Sequence, residues 1–292
     1  MTREMRDGHQ GTGPGAITPD GCAVEFYARL PVGSEPDVIA AAVPAGAHIL
    51  ELGCGVGRVT HALLQRGFTV TAVDESAEML DRVRRARTIC SPIEHLDLGE
   101  TFDVVMLASF LVHSGDVEVR RGMLRTCLRH VAAGGCVLIQ REGEDYHTDL
   151  PRERVDPSGF TTRIVSAEPV GEGVHSVRAE LEFPDAVWTQ TFLSRPLTRE
   201  QFEEALAEAG LRVDRYLTED RVWVRAVPMT AWKPEGSREP AENRRTAGER
   251  DEATTGVGGG GDGEKAEEGR GGEGRREDSA EAKGREEGRG DS

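Results

Sequence analysis

Large apolar side chains are almost absent from the C-terminal part of this 292-residue chain. Lys233 to Ser292 contains no Leu, Ile, Phe, Tyr, Trp or Met, and its single Val is Val257. A segment of this composition cannot bury enough apolar surface to offset the conformational entropy lost on folding. We therefore expect a disordered Gly/Glu/Arg-rich tail over residues 229–292, a disordered Gly-rich N-terminus over residues 1–20, and one folded domain over residues 21–228.

Long hydrophobic runs, paired cysteines and a basic surface are also missing. No segment reaches the roughly 18 apolar residues of a membrane span, and the N-terminus has no signal-peptide core. The five cysteines lie in separate segments without a C-x-x-C pair, which argues against a metal site. The net charge of -16 argues against nucleic-acid binding, because phosphate neutralisation needs basic side chains. The composition therefore predicts a cytoplasmic protein with no metal, nucleic-acid or membrane partner, and nothing in it indicates an oligomeric state.

Strand-like and helix-like segments alternate through the first half of the expected domain. Five short apolar runs begin at His48, Phe68, Thr88, Phe102 and Cys136, and segments with helical spacing follow the first, second and fourth of them. This alternation predicts an α/β domain with a mostly parallel sheet and helices on both faces. Two later runs alternate apolar and polar residues around a Pro-Asp turn, which predicts an antiparallel hairpin at about residues 174–195.

A glycine-rich turn follows the first predicted strand, in the sequence ELGCGVG. Strand, glycine turn and helix together aim backbone N–H groups at a ligand that can approach the main chain closely. The dinucleotide fingerprint G-x-G-x-x-G would need a third glycine at position 58, which is Arg58. The glycines lie instead at Gly53, Gly55 and Gly57. Asp74, at the end of the next predicted strand, is suited to accept hydrogen bonds from two ribose hydroxyls in either type of site.

The glycine spacing, with Glu51 two residues ahead of it, resembles motif I (E/D-x-G-x-G-x-G) of the class I S-adenosylmethionine-dependent methyltransferases. VTAVDESAEML is similar to the second motif of that family, and ETFDVVMLASFLVH and LRHVAAGGCVLIQRE are similar to its fourth- and fifth-strand regions. The resemblance covers about Ala23 to Pro228. It implies a Rossmann-like fold with a seven-stranded sheet, S-adenosylmethionine as cofactor, and cofactor contacts from Tyr27, Glu51, Gly53, Cys54, Gly55, Gly57, Asp74, Glu75, Met79, Ile93, Glu94, Ala108 and Ser109.

The chain departs from the family where adenine is bound. The family often carries an Asp after the third strand that bonds the adenine amino group, and its counterpart here is Pro92. Proline has neither a carboxylate nor an N–H group. Ile93 could still supply its amide and an apolar wall, and Glu94 is the alternative acid.

Methyl transfer is an in-line displacement in which positioning and desolvation can supply much of the catalysis, so a general base is optional. His113 is the candidate base, because it follows the fourth predicted strand at the open end of the sheet. A capping or buried structural histidine is the alternative reading. Tyr27, on the first predicted helix, either closes over the methionine end of the cofactor, as in related enzymes, or is a core aromatic.

The hairpin resembles the small antiparallel caps over the acceptor site in small-molecule methyltransferases, including sugar-amine N-methyltransferases. Trp188 and Phe192 share one face of it, which either packs on the domain or lines the acceptor pocket. The acidic domain would attract a cationic amine. We therefore expect methyl transfer to a small molecule or short peptide, with an amine acceptor, in specialised metabolism. The alternatives are an inactive methyltransferase-fold scaffold and a nucleotide-dependent oxidoreductase.

Overall fold

The computed structural model describes residues 4–143 and 145–229 of the chain. The predicted disordered tail lies outside these described residues from residue 230 onward, as do the first three residues of the predicted disordered N-terminus. None of the helices in the described ranges combines the length and the apolar character of a membrane-spanning helix.

Twelve strands and six α-helices follow one another in the described residues. In chain order they are β1 (Gln10–Thr12), α1 (Val24–Arg29), α2 (Glu35–Ala42), β2 (His48–Leu52), α3 (Arg58–Gln65), β3 (Thr69–Asp74), α4 (Ala77–Leu80), β4 (Arg87–Cys90), β5 (Phe102–Leu107), α5 (Val117–His130), β6 (Val131–Gln140), β7 (Arg152–Val155), β8 (Thr161–Gly171), β9 (Val174–Phe183), β10 (Ala186–Ser194), α6 (Arg199–Glu208), β11 (Leu211–Tyr216) and β12 (Trp223–Pro228). Single 3-10 turns cover Ile93–His95 and Leu111–His113.

The larger sheet has seven strands in the order β11-β12-β6-β5-β2-β3-β4. Strands β4, β3, β2, β5 and β6 are parallel, whereas β12 and β11 complete the sheet in antiparallel pairs. The central strands are nearly continuous apolar runs, as expected for strands covered on both faces. The predicted mostly parallel seven-stranded sheet is confirmed.

Helices cover both faces of this sheet and enclose two separate hydrophobic cores. Alternate residues of one strand face opposite cores: Leu50 packs on the side of α5 and α6, and Ile49 packs on the side of α2 and α3. The first core contains Leu124 and Phe202 from these helices, and the second contains Leu63. The two cores hold the parallel strands rigidly, so that their carboxyl ends form a fixed edge.

The second sheet is larger than the hairpin that the sequence predicts. Strands β9 and β10 form that hairpin, but they lie inside a five-stranded antiparallel sheet of order β1-β10-β9-β8-β7. We call this sheet the cap. Sequence analysis did not predict β7 and β8. Because β7 is only four residues long and β8 is mostly half-buried, neither shows a clear alternation of apolar and polar residues.

The prediction of a disordered N-terminus is wrong for residues 4–20. Strand β1 pairs with β10 through Gln10 and Thr191, and the indole N–H of Trp188 donates to the Pro14 carbonyl at 2.8 Å. Gly13 has a φ of 124°, and a Cβ there would collide with the Trp188 ring. Gly13, one of the glycines that suggested disorder, is thus required for the backbone to pass directly over a buried aromatic side chain.

Candidate active site

The three glycines form the turn that joins β2 to α3, at the carboxyl edge of the larger sheet. Gly53, Gly55 and Gly57 have φ angles of 76°, 55° and 83°, in the left-handed region that favours glycine. The N–H groups of Gly53 and Cys54 donate to the carbonyl of Val73 at 2.8 and 2.9 Å, which fixes the turn to β3. The turn is therefore anchored by backbone hydrogen bonds before any ligand binds.

Only one of these glycines leaves room beside the turn. A Cβ at Gly53 would lie 2.6 Å from Cδ1 of Leu111, so that position is already packed. A Cβ at Gly55 would meet a single atom within 4 Å, the sulfur of Met79 at 3.9 Å. Gly55 is consequently the point at which a ligand can approach the backbone.

Asp74 lies at the end of β3, beside the glycine turn. Its Oδ2 accepts a hydrogen bond from the Gly55 N–H at 2.8 Å, and its Oδ1 accepts one from the Ser76 N–H at 2.9 Å. Burial raises its pKa to about 6, although the two backbone donors oppose that shift. Each oxygen keeps a further lone pair, so the carboxylate can accept hydroxyl donors without losing its hold on the turn.

Glu51 lies beneath the turn rather than on it. Its buried carboxyl accepts a hydrogen bond from the Thr60 hydroxyl at 2.5 Å, which connects β2 to α3. Burial raises the pKa of Glu51 to about 7. In the described structure this residue supports the turn, and its predicted cofactor contact stays a prediction.

The part of the site where the sequence predicts adenine binding is bordered by residues from three parts of the chain. Ile93 is buried in the first core and its carbonyl accepts a hydrogen bond from the Thr126 hydroxyl at 2.8 Å. Arg6 donates to both Glu75 oxygens at 2.9 and 2.8 Å and to Glu94 at 3.1 Å. The N-terminal segment therefore reaches this edge and engages Glu94, the alternative acid for adenine.

Tyr27 lies near the opposite end of the turn. It packs beside Val56 and Met79, which flank the glycines, and its hydroxyl is 3.7 Å from the Cys22 thiol. Its ring also meets Phe26 edge to face at 5.6 Å. Tyr27 is thus both a core aromatic and a neighbour of the turn, which leaves its predicted contact with the cofactor a prediction.

The loop after β5 carries backbone strain. Ser109 and Phe110 have φ angles of 54° and 61°, and the Ser109 N–H donates to the side chain of Gln140 at 2.9 Å. Left-handed non-glycine residues are uncommon and cluster at functional sites. Ala108 and Ser109 directly follow β5 at the carboxyl edge, and their predicted cofactor contact stays a prediction.

His113 does not have the free ring nitrogen that a general base requires. Its Nε2 accepts a hydrogen bond from the Glu142 N–H at 2.9 Å, and its Nδ1 bonds the Arg195 carbonyl at 2.9 Å. The side chain is 3% exposed, and burial lowers its pKa to about 4. The assignment of His113 as catalytic base is therefore wrong for this structure: the ring is neutral, has one fixed tautomer, and ties the cap to β6.

Replacing His113 with alanine should mainly destabilise the protein. The Glu142 N–H and the Arg195 carbonyl would both lose their partner, at about 1–3 kcal/mol each. Because its pKa in the folded protein lies below the ordinary value of 6.5, the contribution of His113 to stability is complete above pH 6.5 and is lost as pH falls towards 4. Urea unfolding at several pH values measures both effects, and the exposed His95→Ala is the control. Unchanged stability with a large loss of turnover would restore the base role.

A second group of polar side chains lies at the same edge and was missed by sequence analysis. Glu142 follows β6, is 4% exposed, and accepts a hydrogen bond from the Ser194 hydroxyl at 3.3 Å. His147 Nε2 lies 2.9 Å from that hydroxyl and 3.8 Å from the Glu142 carboxyl. Burial raises the pKa of Glu142 to about 8. We call Glu142, His147 and Ser194 the Glu142 cluster.

Two aromatic rings lie next to this cluster. Tyr146 packs against His147 with ring centroids 5.1 Å apart, and the partly exposed Phe110 lies 6.4 Å from Tyr146. The signal in the sequence was an acid directly after the fifth predicted strand, but only the fold brings Ser194 from the cap onto it.

Comparison with known proteins agrees with this geometry. Residues 49–135, which contain the glycine turn and Asp74, match the family model described as a methyltransferase domain. A cypemycin N-terminal methyltransferase from a Streptomyces species is 31% identical over 152 residues, which cover 45% of this chain and 59% of that protein. Across the first three curated relatives that it matches, the chain spans only 40–59% of their length.

Solved structures share the fold at low sequence identity. The CcbJ methyltransferase from Streptomyces caelestis has a TM-score of 0.57 and 16% identity, covering 70% of this chain and 95% of that one. The sugar N-methyltransferase KedS8 from Streptoalloteichus sp ATCC 53650 has a TM-score of 0.51 and 19% identity, covering 66% and 84%. The fold is that of the Rossmann-like methyltransferases. The matched methyltransferase-domain model and this fold both support the resemblance to the class I S-adenosylmethionine-dependent methyltransferases, the enzymes that use S-adenosylmethionine as cofactor.

Proposed function

We propose that this chain transfers a methyl group from S-adenosylmethionine to an amine of a small molecule or short peptide, in the cytoplasm and in specialised metabolism. The observation that carries the proposal is the contact between the Asp74 carboxylate and the Gly55 N–H at 2.8 Å. This hydrogen bond places Gly55, where the turn leaves space for a ligand, next to a carboxylate that can bind ribose hydroxyls.

The residues around the turn fit this cofactor. A Cβ at Gly55 would enter the space that the turn leaves open, and Asp74 retains lone pairs for two hydroxyl donors. Ile93 and Leu111 supply apolar surface beside Gly53, where the adenine ring is expected. When bound, S-adenosylmethionine supplies a methyl group on a sulfonium, which an uncharged nucleophile can accept.

Glu142 supports an amine as the acceptor. A buried carboxyl with a pKa near 8 can exchange a proton with an ammonium group at neutral pH, which leaves the amine uncharged for attack. The Phe110 and Tyr146 rings beside the Glu142 cluster would favour a cation over an anion. One relative is also named for an N-terminus, and a free peptide N-terminus carries an amine.

The roles of the chain's own groups follow from these positions. Asp74 and the glycine turn hold the cofactor, and Phe110 of the strained Ser109–Phe110 loop lies against the Tyr146 ring beside the Glu142 cluster. Ser194 donates to the Glu142 carboxyl and orients it, while His113 fixes the Glu142 backbone. Glu142 is the candidate catalytic base.

Two measurements on the full chain test the proposal. Calorimetric titration with S-adenosylhomocysteine should give micromolar binding, whereas binding of NADH alone would contradict the methyltransferase assignment. Incubation with S-adenosylmethionine and an amine acceptor, either an amino sugar or a peptide with a free N-terminus, should add the mass of one methyl group. The N-acetylated form of the same acceptor is the matched control. Equal methylation of both forms would contradict an amine acceptor.

A further inference from the structure

A groove lies on the α5 and α6 side of the carboxyl edge, away from the glycine turn. It has a volume of about 460 Å³ and is open to solvent. The first turn of α5, the start of α6, the segment between β10 and α6, and the start of β9 form its walls. Its lining includes the basic residues Arg120, Arg121, His175 and Arg195 and the acids Glu204 and Glu208. We call it the arginine groove.

Buried N–H groups in the arginine groove lack partners. Arg120 is 8% exposed, and its Nε and Nη1 have no hydrogen-bond partner among the described residues. Nε of Arg195 is also a buried donor without a partner in the described part of the chain. A buried donor without an acceptor costs about 1–3 kcal/mol, and more when it is charged. Such a set of donors in one groove indicates a missing acceptor.

The positive charge of the groove is only partly compensated. Arg121 bonds Glu118 at 2.7 Å and Glu208 at 3.4 Å, so these carboxylates are engaged. Within residues 4–143 and 145–229, neither Arg120 nor Arg195 has a carboxylate within 4.0 Å. Burial lowers the pKa of Arg120, and the neighbouring Arg195 and Arg121 lower it further. Glu208 opposes this shift, and Nη1 of Arg195 donates to the Glu172 carbonyl. Two arginines without an ion-pair partner in these ranges are nevertheless unexpected in a chain whose net charge is -16.

Two helix N-termini add to this positive potential. Arg120 lies in the first turn of the 14-residue α5, and Thr198 caps the 10-residue α6. Asp116 and Thr198 already accept hydrogen bonds from N–H groups at the start of their own helices. The helix dipoles therefore add to the positive potential of the groove, while the arginine side chains provide the donors that would contact a ligand.

We infer that the arginine groove binds an oxyanion, the phosphate or carboxylate group of a small molecule, through Arg120 and Arg195. A guanidinium offers two parallel donors that match either group. The ligand oxygens would neutralise the two cations and place acceptors on the groove side of their guanidinium groups. This inference does not depend on the methyl-transfer reaction.

The arginine groove also adjoins the Glu142 cluster. The His175 ring, which lines the groove, lies 5.1 Å from the His147 ring of the cluster. The backbone of Arg195 bonds His113, which in turn holds the backbone of Glu142. The side chains of His175 and His147 would thus lie between an oxyanion in the groove and the proposed acceptor site.

Calorimetric titration of the full chain with inorganic phosphate, at low ionic strength and without cofactor, tests the inference. Wild-type protein should bind phosphate with a Kd of about 1 mM or below. Arg120→Gln and Arg195→Gln should each weaken that binding at least tenfold. Arg199→Gln removes an exposed arginine of α6 that pairs with Glu203 outside the groove, and it should bind as the wild type does.

Parallel titration with acetate distinguishes the two ligand groups, since a carboxylate site would bind acetate at least as tightly as phosphate. Melting temperature and S-adenosylhomocysteine affinity report whether each variant is folded. If Arg120→Gln does not fold, Arg195→Gln alone provides the test of phosphate binding. Absence of saturable binding of both anions to the wild type would overturn the inference. So would equal affinity in the wild type and in a folded groove variant.

Discussion

Replacing Asp74 with alanine should weaken S-adenosylhomocysteine binding by about 2–3 kcal/mol, or roughly 30- to 150-fold. The variant loses the carboxylate that can accept both ribose hydroxyls, and the Gly55 and Ser76 N–H groups lose their acceptor. Calorimetry at pH 7.5 gives the dissociation constant. Asp81→Ala removes an exposed acid a short distance along the same segment and is the matched control.

The pH dependence of binding adds a second readout for Asp74. Burial raises its pKa to about 6, and hydroxyl donors favour the ionised form. Affinity should therefore be complete above pH 6 and decline as pH falls through that value, while Asp74→Ala should lack this decline. An unchanged dissociation constant, or the same pH profile in the variant, would remove Asp74 from the ribose site.

The glycine turn and Asp74 could be predicted because their geometry is local. Parallel strands end at one edge of a sheet, so the residues that follow β2 and β3 must meet there, whatever covers them. Glycine at positions 53, 55 and 57 also permits the left-handed backbone angles that the structure has. Sequence alone therefore predicted the glycine turn and Asp74, which belong to one β-turn-α unit and the strand next to it.

The N-terminal segment could not be predicted in the same way, because its contacts are all distant in sequence. Arg6 bonds Glu75 and Glu94, and Pro14 accepts from Trp188. Each contact exists only after the cap and the larger sheet have formed. The polar, Gly-rich composition is common to disordered segments and to backbone that packs closely over another element, and local pattern does not separate the two.

The exchange of roles between His113 and Glu142 has a similar cause. Both residues follow parallel strands at the carboxyl edge, but sequence analysis selected only His113 as a candidate for proton transfer. Their different roles depend on contacts at the end of β10. The Arg195 carbonyl accepts a hydrogen bond from Nδ1 of His113, and the Ser194 hydroxyl donates one to the carboxyl of Glu142. Burial then lowers the pKa of the histidine and raises that of the acid, which brings only Glu142 close to neutral pH.

Glu142→Gln should lower turnover by about 10²-fold or more and leave S-adenosylhomocysteine affinity nearly unchanged. Glutamine keeps an oxygen for the Ser194 hydroxyl but cannot take a proton from the acceptor. The variant should remain folded, because the substitution removes the cost of ionising a buried carboxyl. Glu153→Gln, which removes an exposed acid of the cap that pairs with Arg163, is the matched control.

The pH profile separates Glu142 from the acceptor as the titrating group. Glu142 acts as a base only when ionised, so wild-type turnover should fall as pH drops below about 8. An amine acceptor protonates over a similar range and would produce the same acid limb by itself. If Glu142 is the base, the acid limb of Glu142→Gln disappears or shifts and its rate stays low at every pH. A variant that keeps both the wild-type rate and the wild-type limb would assign the titration to the acceptor, and Glu142 would then only shape the site.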